Sequence, residues 1–179
     1  RQIHRWSKIY VASETSKIPL MDKLNEWLPQ HIPPSDETCI IHGDYRLDNM
    51  ILHPTENRVI AVLDWELSTL GHPLADLGYF CMALRLPRNP ALPGLDGMNR
   101  AELGIPEETA LLARYAELTG RKIPEDWAFV VAFSFFRLAA IAQGVAKRVQ
   151  QGNASSEQAE QAGRMVALLA ELGLRELQE

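Results

Sequence analysis

The sequence has 179 residues, of which 46% are hydrophobic and 23% are charged, so the chain is long enough and apolar enough to bury a core. Its formal net charge of −5, with scattered lysines and arginines, argues against a sequence-independent grip on nucleic acid, which needs clustered positive charge. Cys39 and Cys81 match neither a metal site nor a disulfide framework, and we expect both to be small buried hydrophobes in a reducing compartment.

The chain opens with two predicted helices and a stiff linker. Residues 1–12 and 16–28 are expected to be helical, with Pro19 in the first turn of the second helix. Three prolines within residues 29–34 end that helix. We expect no secretory signal, since residues 1–13 carry several charges, and the missing initiator Met suggests that the chain begins inside a longer polypeptide.

The next part combines short apolar strands with two bursts of polar residues. Residues 38–42 are β-branched and apolar, and they predict a strand that ends in the polar segment 42–49, His-Gly-Asp-Tyr-Arg-Leu-Asp-Asn. Residues 50–53 and 58–63 predict two paired strands joined by a turn. The second burst, Asp-Trp-Glu at 64–66, follows the latter strand directly.

The remainder is predicted to be helical. Residues 75–85 form one candidate helix, and residues 87–105 are rich in proline and glycine and predict a long surface loop. Pro106 should start a helix that Gly120 ends. A capping box, Ser155 with Gln158, is expected to start a last helix. The residues expected to be buried by that last helix are Ala162, Met165, Val166, Leu169 and Leu172.

The most apolar segment, residues 127–146, is expected to be a helix opened by Pro124 and is about as long as a membrane span. Arg137 lies near its middle, and a charge at the centre of a spanning helix costs about 2.5–3.5 kcal/mol even on the mildest scales. The segment is therefore interpreted as a helix of a protein core, and no membrane span is predicted.

The spacing of three polar residues is typical of phosphoryl transfer. In one class of these enzymes the catalytic loop carries an Asp, then four residues, then an Asn, and a metal-binding Asp follows later. Asp44 and Asn49 have that spacing, and Asp64 follows fifteen residues after Asn49. Magnesium favours one or two carboxylates completed by phosphates and waters, so Asn49 and Asp64 would suffice as its protein ligands.

The sequence around these residues resembles the aminoglycoside phosphotransferase (APH) family, small-molecule kinases related to choline kinases and, more distantly, to protein kinases. The resemblance lies in residues 41–50, 62–66 and 71–79 and covers essentially the whole chain as a C-terminal lobe. Residues 12–16 and 67–78 are most similar to the branch found fused to, or encoded beside, acyl-CoA dehydrogenases. The resemblance to the family implies an α+β fold: a protein kinase-like C-terminal lobe that is mainly helical and has a small β element.

The resemblance also implies roles for individual residues. Asp44 would be the catalytic base, or the acid that orients the acceptor hydroxyl, and Asn49 and Asp64 would bind Mg²⁺ and, through it, ATP. Asp76 would brace the catalytic loop by accepting backbone hydrogen bonds, and His42 would position that loop. The roles of two further residues stay open: Arg46 as a contact to phosphate or to a substrate carboxylate, and Glu66 as an ion-pair partner, an outer acid or a metal contact.

One feature of the family is missing from the chain. Its N-terminal lobe carries a glycine-rich loop, whereas no glycine precedes Gly43. We therefore expect the N-terminal nucleotide lobe to be absent, and the chain alone to bind ATP weakly and to be nearly inactive. Three segments are expected in the C-terminal lobe: N-terminal helices and linker at 1–36, catalytic loop and metal-binding β element at 37–66, and a helical substrate subdomain at 67–179.

Two other functions remain open at this stage. A metal-dependent phosphoesterase could use His42, Asp44, Asn49 and Asp64, although two-metal sites normally need further His and Asp ligands. A non-catalytic kinase-like binding module is the second alternative, with Asp48 and Asn49 as ordinary turn residues and Asp76 as a helix cap. The expected partners are a hydroxylated small molecule such as a hydroxy acid or its CoA thioester, the missing lobe, and an acyl-CoA dehydrogenase domain in the same or a neighbouring chain. The expected location is intracellular: cytoplasmic in a bacterium, mitochondrial or peroxisomal in a eukaryote.

Overall fold

The structure is a computed structural model that describes residues 1–35, 37–89, 92–153 and 156–178. Within these residues the chain is mainly helical, as predicted. The α-helices are α1 (Gln2–Ser13), α2 (Pro19–Trp27), α3 (Leu74–Met82), α4 (Glu108–Thr119), α5 (Trp127–Arg148) and α6 (Ser156–Glu176). Single 3₁₀ turns occur at Leu28–Gln30, Leu47–Asn49 and Trp65–Leu67, and a π turn occurs at Val149–Asn153.

The strands of the described residues are short and form antiparallel pairs. They are β1 (Cys39–Ile41), β2 (Met50–Leu52), β3 (Val59–Val62), β4 (Thr69–Gly71), β5 (Arg88–Asn89) and β6 (Leu92–Pro93). The pairs are β1 with β4, β2 with β3, and β5 with β6. The predicted pairing of β2 with β3 is confirmed, and Met50 lies opposite Val62 in it.

The chain divides into two compact units. The first contains Arg1–Asp36 and Ala128–Glu179, and the second contains Glu37–Trp127. The expected three segments, 1–36, 37–66 and 67–179, stay a prediction.

The first unit has a core built by α1, α2, α5 and α6. Met21, Leu24, Phe135 and Leu169 are fully buried there. Val166 and Leu172 of α6 are buried as predicted, Met165 is half-buried, and Ala162 lies outside the residues whose side chains are described. The prediction for Ser155 also lies outside the described residues.

Among the described residues, helix α5 contributes more buried hydrophobic residues to this core than any other helix. By length and composition alone, residues Trp127–Gln151 could cross a membrane, but 67% of the apolar window is buried inside the protein. The Arg137 side chain is buried, and its guanidinium carbon lies 5.3 Å from the centroid of the Trp6 ring, a cation–π contact. These contacts indicate that α5 is a buried core helix.

The second unit departs from the predictions in three places. The expected loop at 87–105 contains two short strands within its described residues, since β5 pairs antiparallel with β6. Helix α4 ends at Gly120 as predicted, with φ of 71°, but it begins at Glu108 with Glu107 as the N-cap, so Pro106 lies before the first turn. Cys81 is buried as expected, whereas Cys39 is partly exposed because it begins β1 in a sheet of only two strands.

Candidate active site

The loop that follows β1 is anchored by a carboxylate of α3. Asp76, in the first turn of that helix, accepts the backbone N–H groups of His42 at 2.6 Å and of Gly43 at 2.9 Å, one on each oxygen. Hydrogen bonds to a charged acceptor are roughly twice as strong as neutral ones. The contact spans 34 positions of sequence, and the β1–β4 pairing brings the segment before α3 alongside β1.

Gly43 is required by its backbone conformation and by its surroundings. Its φ is +86°, a left-handed conformation that side chains disfavour. A Cβ atom at this position would lie 2.4 Å from the carbonyl oxygen of Leu67. The loop can therefore approach the segment before β4 this closely only because the residue is glycine.

The His42 ring connects the loop to the end of β3. The backbone N–H of Asp44 donates to His42 Nδ1 at 3.1 Å, so Nδ1 acts as the acceptor. The proton therefore resides on Nε2, which donates to the carbonyl oxygen of Leu63 at 2.7 Å. His42 is only 2% exposed, and both of its ring nitrogens are used to hold backbone.

Asn49 turns its amide nitrogen towards Asp44. Nδ2 donates to the backbone oxygen of Asp44 at 2.8 Å and to its carboxylate Oδ2 at 2.9 Å. Because the nitrogen makes both bonds, the Oδ1 atom is the part of the amide that can face a cation. Asp44 and Asn49, five positions apart, are therefore in direct contact.

Asp64 is held beside Asn49 through the backbone. The N–H of Leu63 donates to the Asn49 carbonyl oxygen at 2.8 Å, which continues the β2–β3 ladder by one more bond. Asp64 follows with φ of 64° and ψ of 54°, and among the described residues it is the one non-glycine residue with positive φ. Such a conformation costs about 1–3 kcal/mol and is concentrated at functional sites.

The other predicted residues lie around this centre. Arg46 is paired with Asp48, and its Nε donates to Asp48 Oδ2 at 2.7 Å. Glu66 is exposed in the 3₁₀ turn after Asp64, and it forms no ion pair with any residue that the structure describes. The structure thus brings His42, Asp44, Asn49 and Asp76 into direct contact, places Asp64 next to them through backbone bonds, and leaves Glu66 at the edge.

The donor groups fit a magnesium ion that phosphate oxygens complete. No group of three or more His, Cys, Asp or Glu side chains that could hold a metal occurs within residues 1–35, 37–89, 92–153 and 156–178. One amide oxygen and one carboxylate are adequate protein ligands for Mg²⁺ bound to a nucleotide. The Asn49 amide oxygen, whose nitrogen is used on Asp44, and the exposed Asp64 carboxylate are the candidates for that pair.

Two features of the site were not predicted from the sequence. Strand β4 has only three residues, Thr69–Gly71, too few for a recognisable alternation. The Trp65 ring packs against the His42 ring at 4.6 Å between centroids, a contact that requires the two polar bursts to meet in space. The glycine between His42 and Asp44 was a usable signal for a close backbone approach.

Taken together, the braced loop and the adjoining β2–β3 pair define a kinase-like phosphotransferase lobe. The sequence matches the profile of the phosphotransferase enzyme family (APH) over residues 1–130. The chain belongs to this family.

Solved and curated relatives agree with this assignment. A crystal structure described as "a putative aminoglycoside phosphotransferase" from Ralstonia eutropha JMP134 has a TM-score of 0.90 and 54% sequence identity, and the match covers 98% of this chain and 54% of that one. Acyl-CoA dehydrogenase family member 10 of Mus musculus is 49% identical over 173 residues, which is 96% of this chain and 16% of that protein. Acyl-CoA dehydrogenase family member 11 of Rattus norvegicus is 45% identical over 178 residues, which is 98% of this chain and 23% of that protein. The chain thus spans less than a quarter of these curated relatives.

Proposed function

We propose that the chain is the catalytic part of an ATP- and Mg²⁺-dependent phosphotransferase that acts on an alcohol hydroxyl of a small metabolite. The observation that carries the proposal is the contact between Asp44 and Asn49, with Asp64 attached to the same loop by backbone hydrogen bonds. One acid is thereby available to a hydroxyl, while an amide oxygen and a second acid are available to a metal. Mg²⁺, when bound, would neutralise phosphate charge and align the phosphate oxygens.

The contacts of the residues support the roles that we propose for them. Asp44 accepts the proton of, or orients, the acceptor hydroxyl, and the N–H of Asn49 keeps its carboxylate in place. Asn49 and Asp64 hold the metal. Asp76 fixes the loop backbone, so that the position of Asp44 does not depend on the substrate. Arg46, currently on Asp48, is the cation of this loop that a phosphate or a substrate carboxylate would meet.

The surroundings of the site also suit a nucleotide. Large apolar side chains are exposed on and beside the β2–β3 pair, which also carries Asn49 and Asp64 at its end. They are Ile51, Leu52, Val59, Ile60 and Leu63. A two-stranded pair is marginally stable alone, and such a surface normally has a covering partner. The flat base of ATP and the N-terminal lobe that the family carries are the occupants we propose.

The acceptor we propose is a hydroxylated acyl compound, either a hydroxy acid or its CoA thioester. The support is the similarity to acyl-CoA dehydrogenase family members, of which this chain matches only a fraction. A dehydrogenase domain in the same or a neighbouring chain would then process acyl groups next to the kinase site, in whichever compartment holds the complete protein. The name of the solved relative offers aminoglycosides as a second acceptor class to be tested.

The decisive experiment measures ADP release by the full-length protein with Mg²⁺ and ATP. Hydroxy acids, their CoA thioesters and aminoglycosides serve as acceptors. Asp44→Asn should lower the rate by about two to three orders of magnitude while nucleotide binding survives. Glu56→Gln is the matched acid-to-amide control, because Glu56 is exposed and pairs only with neighbours in its turn. Unchanged turnover in Asp44→Asn, or phosphate release from a phosphoester without ATP, would contradict the proposal.

A further inference from the structure

The backbone on both sides of the left-handed residue Asp64 is held by hydrogen bonds. On the N-terminal side, Leu63 donates its N–H to Asn49 at 2.8 Å, and its carbonyl oxygen accepts the Nε2 proton of His42 at 2.7 Å. On the C-terminal side, the carbonyl oxygen of Trp65 accepts the N–H of Ser68 at 2.9 Å. The peptide group before Asp64 is thus held directly through the Leu63 carbonyl, whereas the peptide group after Asp64 is held through its neighbour Trp65.

The indole of Trp65 ties the two sides together. Its Nε1–H donates to the Val62 carbonyl oxygen at 2.9 Å, which reaches back across Asp64 to strand β3. Its ring packs on His42 at 4.6 Å, with an angle of 54° between the ring planes. His42 is the residue that also holds the Leu63 carbonyl, so one aromatic contact links the anchors before and after Asp64.

The exposure of Trp65 distinguishes it from a core residue. Its side chain is 51% exposed, although its indole N–H and one ring face are engaged. A tryptophan that served mainly to fill a core would be largely buried. The contacts of Trp65 are instead concentrated on the backbone around Asp64 and on the histidine that holds it.

We propose that Trp65 is the positioning residue of Asp64, in that its indole holds the carboxylate-bearing backbone in the left-handed conformation needed to receive the metal. This inference rests on the proposed function, which assigns Asp64 to the metal. Without the indole, the peptide group between Asp64 and Trp65 can rotate, and Asp64 can return to an ordinary backbone conformation. The Asp64 carboxylate would then point in a different direction from this backbone.

The test measures the affinity of the full-length protein for Mn²⁺ in the presence of a non-hydrolysable ATP analogue. Electron paramagnetic resonance detects the Mn²⁺ that stays free. Partners that hold metal ligands typically contribute 10–100-fold to affinity, so we expect Trp65→Ala to bind Mn²⁺ about tenfold more weakly. Trp65→Phe keeps a ring for His42 but loses the N–H, and should fall between Trp65→Ala and the parent. Nucleotide affinity without metal should stay within twofold.

Trp127→Phe is the matched control. The Trp127 indole N–H also makes a hydrogen bond in the same unit, to Glu108 at 3.0 Å, and neither residue belongs to the segments that surround Asp64. It should lose stability without a change in Mn²⁺ affinity. Mn²⁺ affinities of Trp65→Phe and Trp65→Ala within twofold of the parent would overturn the inference. If Trp65→Ala does not fold, Trp65→Phe alone decides, against Trp127→Phe.

Asp64→Asn separates this inference from the proposed function. If it leaves Mn²⁺ binding unchanged, the metal role of Asp64 fails and the inference fails with it. If Asp64→Asn abolishes binding while the Trp65 variants bind normally, the proposed function stands and only the positioning role is wrong. Backbone chemical shifts report the conformation of Asp64. If they show that Asp64 keeps its left-handed conformation in Trp65→Ala, the positioning role is also overturned.

Discussion

The side-chain amide of Asn49 donates to both the backbone oxygen and the carboxylate of Asp44, at 2.8 and 2.9 Å. A single neutral side chain therefore fixes the acid and still offers an oxygen elsewhere. An aspartate at position 49 could offer oxygens but no N–H, and it would place a second negative charge against Asp44. The choice of amide over acid is thus a requirement of the geometry.

Asn49→Asp should consequently lower kcat by about two orders of magnitude at neutral pH, the scale of losing one key catalytic contact. Repulsion between the two carboxylates raises the pKa of the pair, and at lower pH a shared proton restores a hydrogen bond between them. The pH–rate profile of the variant should therefore rise towards acidic pH relative to the parent. Asn57→Asp, in the exposed turn before β3, is the control. A flat ratio of the two rates over pH would contradict the argument.

The pattern of residues was sufficient to predict the loop and the β2–β3 pair, because both depend on neighbours within about fifteen residues. The β1–β4 pairing could not be predicted, since it joins two three-residue strands that are far apart in the sequence, with most of the site residues between them. The left-handed conformation of Asp64 could not be predicted either, because aspartate tolerates this conformation but adopts it at only a minority of positions. The prediction for Pro106 was wrong because it applied the preference of proline for the first turn of a helix. The N-cap position of α4 is Glu107, so Pro106 precedes the helix.

A methyl group at Gly43 should destabilise the fold much more than one at Gly97. Both glycines have positive φ, +86° and +73°, so alanine carries a similar conformational cost of about 1 kcal/mol at each. Only at Gly43 would the Cβ meet backbone, 2.4 Å from Leu67 O, whereas nothing lies within 4 Å at Gly97. In urea unfolding, the free energy of unfolding of Gly43→Ala should therefore be lower than that of Gly97→Ala by at least about 2 kcal/mol. Equal losses would show that the loop can move away from Leu67.

Asp76→Asn tests the brace of the catalytic loop. The two carboxylate oxygens each accept one backbone N–H, and an asparagine can offer only one oxygen, so it would turn an N–H towards a donor. Leaving one partly buried donor unsatisfied costs about 1–3 kcal/mol. Thermal unfolding should reveal this loss, with reduced kcat at temperatures where the variant is folded. Asp96→Asn, an exposed acid of the same unit, should change neither quantity, and a similar effect of both variants would refute the bracing role.

The buried thiol of Cys81 predicts a loss of stability in alkaline solution. Burial, and then the negative charge of Glu108, raise the pKa of Cys81 to about 12, from an ordinary value of 9.0. Tyr10 behaves similarly: burial, with Asp22 and Glu14 nearby, raises its pKa to about 12 from 10.0. In the unfolded chain both groups lose their protons at lower pH than in the native state. The free energy of unfolding contributed by each group is fully present below the unfolded pKa and is lost as pH rises towards 12.

Replacing Cys81 should flatten this alkaline decline. Between pH 9 and 12 one such group contributes a slope of at most about −1.4 kcal/mol per pH unit to the free energy of unfolding. Cys81→Ala removes the contribution of the thiol, so its stability should fall less steeply with pH than that of the parent, although it starts lower because a cavity is created. Cys39→Ala changes the partly exposed thiol and serves as the control. Chemical unfolding from pH 7 to 10.5 measures the slopes, and identical slopes for Cys81→Ala and the parent would mean that Cys81 ionises in the native protein as readily as in the unfolded chain.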